Sequence, residues 1–310
     1  MICFASIVSA FPWLRDSRRR YTQNVEQNSQ SAAGNLQKDP ATLVLAAFKG
    51  WSNAAEASSE ALEYLLEVWD VISVNEISQD DYYSYTENRP EIYISPEGRR
   101  EIYWPATTIS EVKCVNLPNT RIFIIVGDEP NLRWQQYCTE VLSIINPKAP
   151  GLVITLGGML AEVLHNRPIH VHGNASDPRI QEITGFELSR YEGPVSMLNV
   201  LQDELEGFGF ESASLWAAIP HYVAGDPCPK ASLALLRGIE DVLDIAIPLD
   251  DMVENARAWQ TGADDLATAD EDIADYVRSL EEGIETAELP EASGEAIARE
   301  FERYLRRREN

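Results

Sequence analysis

From Thr42 onward, apolar runs of strand length alternate with stretches whose apolar residues recur every three or four positions. TLVLAAF at 42–48 has no polar interruption and predicts a strand buried on both faces, followed by a turn at Gly50 and a helix marked by Ala57, Ala61, Leu65 and Trp69. VISV at 71–74, EIYIS at 91–95 and REIYWP at 100–105 predict short strands. The last two form a surface hairpin around Pro96, Glu97 and Gly98. RIFIIV at 121–126 is a second buried strand, and Leu132, Tyr137, Val141, Leu142 and Ile145 give the next segment a helical stripe that Pro147 ends. LVITL at 152–156 predicts a third strand, with Gly157 and Gly158 leading into a helix over MLAEVL. Leu198, Leu201 and Leu205 mark a helix stopped by Gly207; ASLWAAI at 213–219 predicts a strand, and PKASLALLRGIEDVL at 229–243 an amphipathic helix.

Continuous apolar strands each followed by a helix define a mostly parallel sheet covered on both sides, an open three-layer α/β/α fold. Beyond Leu249 the strand signal stops. Ile273, Tyr276, Val277, Leu280 and Ile284 form one amphipathic stripe, and Ile297, Phe301, Tyr304 and Leu305 another. Before Pro40, residues 21–38 are rich in Gln, Asn and Ser and lack any apolar period. The expected organisation is a flexible extension over 1–38, an α/β/α core over 39–248 and a helical region over 249–310.

Charge narrows the function classes. Fifty acidic against 25 basic side chains give a formal charge of −25, which repels nucleic acid and anionic lipid. Neither a nucleic-acid nor a membrane partner is expected. Cys3, Cys114, Cys138 and Cys228 stand far apart, without the paired spacing of a zinc site or a disulfide framework, so a reducing cytoplasm is expected. The opening residues place apolar side chains before arginines, the reverse of a secretory leader.

In open parallel sheets ligands collect beyond the carboxyl ends of the strands. Trp51 and Asn53 follow the first strand, Asp128 and Glu129 follow RIFIIV, Gly157 and Gly158 follow LVITL, and His221 follows ASLWAAI. With Arg167 they make a candidate pocket, although Gly and Pro belong in such turns for conformational reasons alone. Gly157 and Gly158 would offer backbone N–H groups to an anion at a helix start, without the spacing of a phosphate loop. Arg167 either pairs with Asp128 or Glu129 or holds an anionic ligand bidentately. His165, His170 and His172 invite a metal test, but no acidic residue stands at ligand spacing, so neither metal nor cofactor is expected. No nucleophile elbow appears and no Cys adjoins a His, so no residue is assigned a catalytic role.

Six segments together resemble the proteasome assembly chaperone 2 family, particularly its actinobacterial-type members with a helical tail. They are FKGWSNAAEA at 48–57, GDEPNLRWQQY at 127–137, LGGMLAEVLHNRP at 156–168, YEGPVSML at 191–198, SLWAAIPHYV at 214–223 and EFERYLRRR at 300–308. One departure is the run from Leu164 to Pro168, Leu-His-Asn-Arg-Pro where relatives commonly read Pro-His-Thr-Arg-Pro. The resemblance implies a fold similar to the phosphorylase/hydrolase-like nucleoside phosphorylase architecture, assembly as a homo-oligomer, and a non-enzymatic, assembly-chaperone-like role with protein partners; among ring sizes a trimer is our own expectation. The competing expectation is an enzyme or sensor that binds a small anionic metabolite or nucleoside at the strand ends.

Overall fold

A computed structural model describes residues 40–78, 80–223 and 227–286. The expected extension over 1–38 and the tail stripe of Ile297, Phe301, Tyr304 and Leu305 lie outside them. Nine strands are described: β1 (Ala41–Lys49), β2 (Asp70–Ile77), β3 (Glu91–Ile94), β4 (Arg100–Tyr103), β5 (Thr107–Lys113), β6 (Thr120–Asp128), β7 (Pro150–Ala161), β8 (Val171–Ala175) and β9 (Glu211–Pro220). Seven α-helices accompany them: α1 (Ala57–Val68), α2 (Trp134–Ile145), α3 (Pro178–Thr184), α4 (Met197–Gly207), α5 (Pro229–Leu243), α6 (Asp250–Ala269) and α7 (Glu271–Thr286).

Seven strands form one sheet in the order β2-β5-β6-β1-β7-β9-β8, and β3 and β4 form a separate hairpin. β6, β1, β7 and β9 are parallel, so their carboxyl ends share one edge; β2, β5 and β8 complete the sheet by antiparallel pairing. The uninterrupted apolar character of β1 is explained by two cores. Leu43, Leu45 and Ala47 enter one with α1, α5 and α6, while Val44, Ala46 and Phe48 enter the other with α2 and α4. This is the three-layer α/β/α arrangement the apolar pattern predicts. Each fully buried Leu, Ile or Phe contributes roughly 1.5–3 kcal/mol by leaving water. Met252 and Ala256 of α6 belong to the first core, so this helix packs into the α/β body.

β5 and α3 answer to no element the sequence pattern predicts, and one predicted element takes another form. MLAEVL does not start a helix: β7 continues through Gly157 and Gly158 to Ala161, pairing Met159 with Ala218 and Ala161 with Pro220 of β9. Parallel pairing along the full length of β9 overrides the local helical pattern. The glycines serve close approach. A Cβ on Gly157 would lie 2.5 Å from the Trp216 ring, and one on Gly158 would lie 3.0 Å from the Ala54 carbonyl oxygen.

Candidate functional site

The turn between β1 and α1 shows what the strand-end residues do. Asn53 is buried, and its Oδ1 accepts from the Ser58 and Ser59 backbone N–H groups at 3.0 Å each and from Ser58 Oγ at 2.6 Å. Its Nδ2 donates to Ser59 Oγ at 2.8 Å. Both ends of the amide are therefore engaged in starting α1. Ala55 and Glu56 sit at φ 48° and 54°, a left-handed pair without glycine that costs roughly 1–2 kcal/mol per residue. Surrounding bonds hold it: the Cys228 N–H donates to the Ala55 carbonyl at 2.9 Å, and the Gly158 N–H donates to the Ser52 carbonyl at 2.8 Å. Trp51, by contrast, is 71% exposed.

Asp128 and Glu129 are structural ties of a similar kind. Asp128 Oδ2 accepts from Tyr103 Oη at 3.2 Å and from the Ala106 N–H at 3.1 Å, fastening the base of the β3–β4 hairpin. Glu129 Oε1 accepts from the Met197 N–H at 2.8 Å, placing a carboxylate at the positive end of α4. Burial pushes the Glu129 carboxyl above its ordinary range, and the Met197 N–H opposes that rise.

Gly157 and Gly158 lie inside β7, so they offer no helix start to an anion, in contrast to the sequence expectation. Arg167 does not pair with Asp128 or Glu129. Its residue is exposed, both carboxylates are engaged elsewhere, and its backbone carbonyl accepts from Lys230 Nζ at 2.8 Å. His221 lies beyond β9, where its Nε2 shares a hydrogen bond with Tyr276 Oη at 2.8 Å. Asn53 meets Gly158 across a parallel bridge, and Gly50 faces Glu129; Arg167 and His221 stand apart, toward α5 and α7 respectively.

A cluster around the buried His165, beside His221, escapes sequence reasoning. His165 is 3% exposed, with Nδ1 2.7 Å from Tyr222 Oη and Nε2 3.1 Å from Asp264 Oδ1. Tyr222 Oη also accepts from the His165 backbone N–H at 2.8 Å, so the hydroxyl meets both the main chain and the ring of the same histidine. The Tyr222 hydroxyl is held above its ordinary pKa by burial, so this cluster favours the neutral phenol. The three residues tie the loop after β7 to α6. Their only sequence signal is the histidine of the Leu-His-Asn-Arg-Pro run and the tyrosine that follows His221.

The thiols are similarly inert. Burial pushes Cys138 up to about 12 and Cys228 up to about 11, far from a thiolate at neutral pH. Among the described residues no group of three or more His, Cys, Asp or Glu side chains is placed to hold a metal ion. His170 and His172 do come together, their rings 4.4 Å apart.

Apolar side chains are unpartnered on the β surface. Ile92 and Ile102 stand opposite each other in the hairpin and share a face with Ile94; they are 52%, 52% and 67% exposed. Trp104 is also exposed and meets Tyr85 edge-on at 5.0 Å. β2 forms one edge of the large sheet, with Val71, Ile72 and Val74 exposed. Such patches and open edges mark contact surfaces on folded proteins.

Fold and surface together define a class: a three-layer α/β/α protein whose strand-end polar groups are internal ties and whose hairpin and sheet edge present apolar side chains. The chain belongs to the PAC2 family, whose model matches residues 47–267. It is similar to the proteasome-assembly chaperone homologue Rv2125 of Mycobacterium tuberculosis, at 37% identity over 76% of this chain and 99% of that one, with a TM-score of 0.67. A PAC2 family protein from Streptomyces avermitilis matches at 38% identity over the same shares, with a TM-score of 0.65. The M. tuberculosis protein of unknown function Rv2714 shares the fold at 23% identity, covering 83% of this chain and 87% of its own, with a TM-score of 0.70. No curated protein matches.

Proposed function

We propose that this chain is an assembly-chaperone-like interaction protein that self-associates and binds subunits of a larger complex through the β3–β4 hairpin and the β2 edge. The exposed isoleucine face of the hairpin carries this proposal. Three large aliphatic side chains around half to two-thirds exposed are unfavourable in a monomer and favourable once covered. Family membership supports the same direction, and Rv2125 is described as a proteasome-assembly chaperone homologue. Proteasome subunits are accordingly the partners to test, and a trimer is the assembly we favour. The buried free thiols of Cys114, Cys138 and Cys228 suit a reducing compartment, and we place the protein in the cytoplasm. Among the described residues no helix is long and apolar enough to cross a membrane.

The test is binding of the full chain to purified proteasome α-type subunits by interferometry, with Ile92→Lys/Ile94→Lys as the comparison. Saturable binding that the double variant loses, while its circular dichroism is unchanged, is the expected result. Binding that survives the variant would remove the hairpin from the interface, and no binding by the wild type would remove this partner.

A further inference from the structure

The β8 edge of the large sheet borders a cleft of about 1040 Å³ between β8, the loop after α3, and helices α5 and α6. Its volume is at the upper end of small-molecule sites, about 300–1,000 Å³. Its charge contrasts with the rest of the chain. Lys230, Arg237 and Arg257 are all the Lys and Arg residues between Tyr191 and Val277, and all three line it. Asp241 is the one carboxylate on its walls, so the lining carries 3 − 1 = +2 in a chain of −25. A cluster of cations on a strongly acidic protein focuses positive potential in a concave, partly apolar site.

Lys230 and Arg257 differ in how they are held. Lys230 Nζ donates to the His165 and Arg167 carbonyls and to Gln260 Oε1, neutral acceptors that fix the ammonium in place and leave its charge uncompensated by direct contact. Arg257 is exposed, and its guanidinium makes no hydrogen bond or ion pair among the described residues. His170 and His172 meet edge to face at the start of β8, where burial and then the neighbouring imidazole hold His170 below the usual histidine range. A neutral ring there can donate a hydrogen bond without adding charge. Phe186 packs against Gly173, where any Cβ would lie 2.2 Å from its ring, and supplies an apolar wall.

We infer that this cleft binds an organic anion, a carboxylate or phosphate head seated on Arg257 in the positive field of Lys230 and Arg237, with an aromatic or aliphatic body against Phe186. The site is separate from the hairpin surface and does not depend on the function proposed for it. A guanidinium fork matches both oxyanions in bidentate fashion, and the apolar wall selects against bare inorganic ions.

The test uses simple probes on the full chain: phenyl phosphate and 3-phenylpropionate, with phenol and inorganic phosphate as partial ligands. Saturation-transfer NMR and calorimetry should show both aryl anions binding with a Kd on the order of 1 mM, as expected for fragments of this size. Phenol and inorganic phosphate should bind at least fivefold more weakly. Arg257→Ala should weaken both anions about tenfold, and Ala234→Phe, which fills the cleft without changing charge, should abolish binding while the melting curve stays cooperative. Phosphate and carboxylate arms distinguish the head group. Failure of both anions to bind wild type, equal binding of phenol, equal binding of inorganic phosphate, or binding unaffected by both variants would each overturn the inference.

Discussion

The edge where the parallel strands end and the cleft beside β8 both carry polar and charged side chains, to opposite effect. At the strand ends, Asn53, Asp128 and Glu129 each meet donors of their own chain: the α1 start, the hairpin base and the α4 start. In the cleft, Arg257 faces solvent with no partner among the described residues, and Lys230 is held by neutral acceptors. Position at a strand end thus does not make a site. What distinguishes a tie from a binding group is whether its hydrogen-bonding capacity is already matched.

The sharpest way to break this comparison is Asn53→Ala. It leaves the Ser58 and Ser59 N–H groups without their acceptor beneath a strained turn, and two buried unsatisfied donors cost about 3 kcal/mol together. Chemical denaturation should show that loss, with the melting temperature falling roughly 5–10 °C for a domain of this size. A shift below 1 °C would show that Asn53 is free for another role. Asp128→Ala should cost less, about 1–2 kcal/mol, because its bonds are partly solvated. Its distinctive sign is faster amide exchange over residues 91–103, as the Tyr103 and Ala106 anchors are lost.

Glu129→Gln sharpens the comparison by sign. Burial raises the carboxyl above its ordinary range, so the ionised group opposes folding at neutral pH. The glutamine keeps an acceptor for the Met197 N–H and removes the buried charge. It should be more stable than wild type by up to about 0.5 kcal/mol near neutral pH, offset in part by the lost attraction to the helix end. The gain should disappear as the pH falls through the raised folded-state pKa to below the unfolded one, where wild type is protonated in both states. A gain that grows on acidification would contradict burial as the cause. Smallest of all, Arg167→Ala should change stability by less than about 0.5 kcal/mol, as for an ordinary surface residue. A loss of about 3–5 kcal/mol would instead reveal the buried pair the sequence suggests.

Much of the fold is legible in the chain because burial on both faces leaves an unbroken apolar run, as in TLVLAAF and RIFIIV, and burial on one face leaves a stripe, as along Leu235, Leu236 and Ile239. Gly157 and Gly158 mislead because a glycine pair after a strand also describes a turn, while here they make room for Trp216 and the Ala54 carbonyl. Local pattern cannot report a neighbour that arrives 59 residues later. The site is less legible for the same reason. His165 meets residues 57 and 99 positions away, and the cations of the cleft come from two helices, Lys230 and Arg237 from α5 and Arg257 from α6, whose charges look scattered in sequence. The strand-end candidates were visible as residue types, but their internal partners, Ser58, Tyr103 and Met197, carry no signature of pairing.

The central claim, that the hairpin is a protein-contacting surface, is tested most directly by the mass of the intact chain in solution. Light scattering at micromolar concentration should give a multiple of 34.7 kDa for wild type, and Ile92→Lys/Ile94→Lys should fall to one chain with its secondary structure unchanged. A wild-type mass of a single chain, or a folded double variant with the wild-type mass, would contradict it.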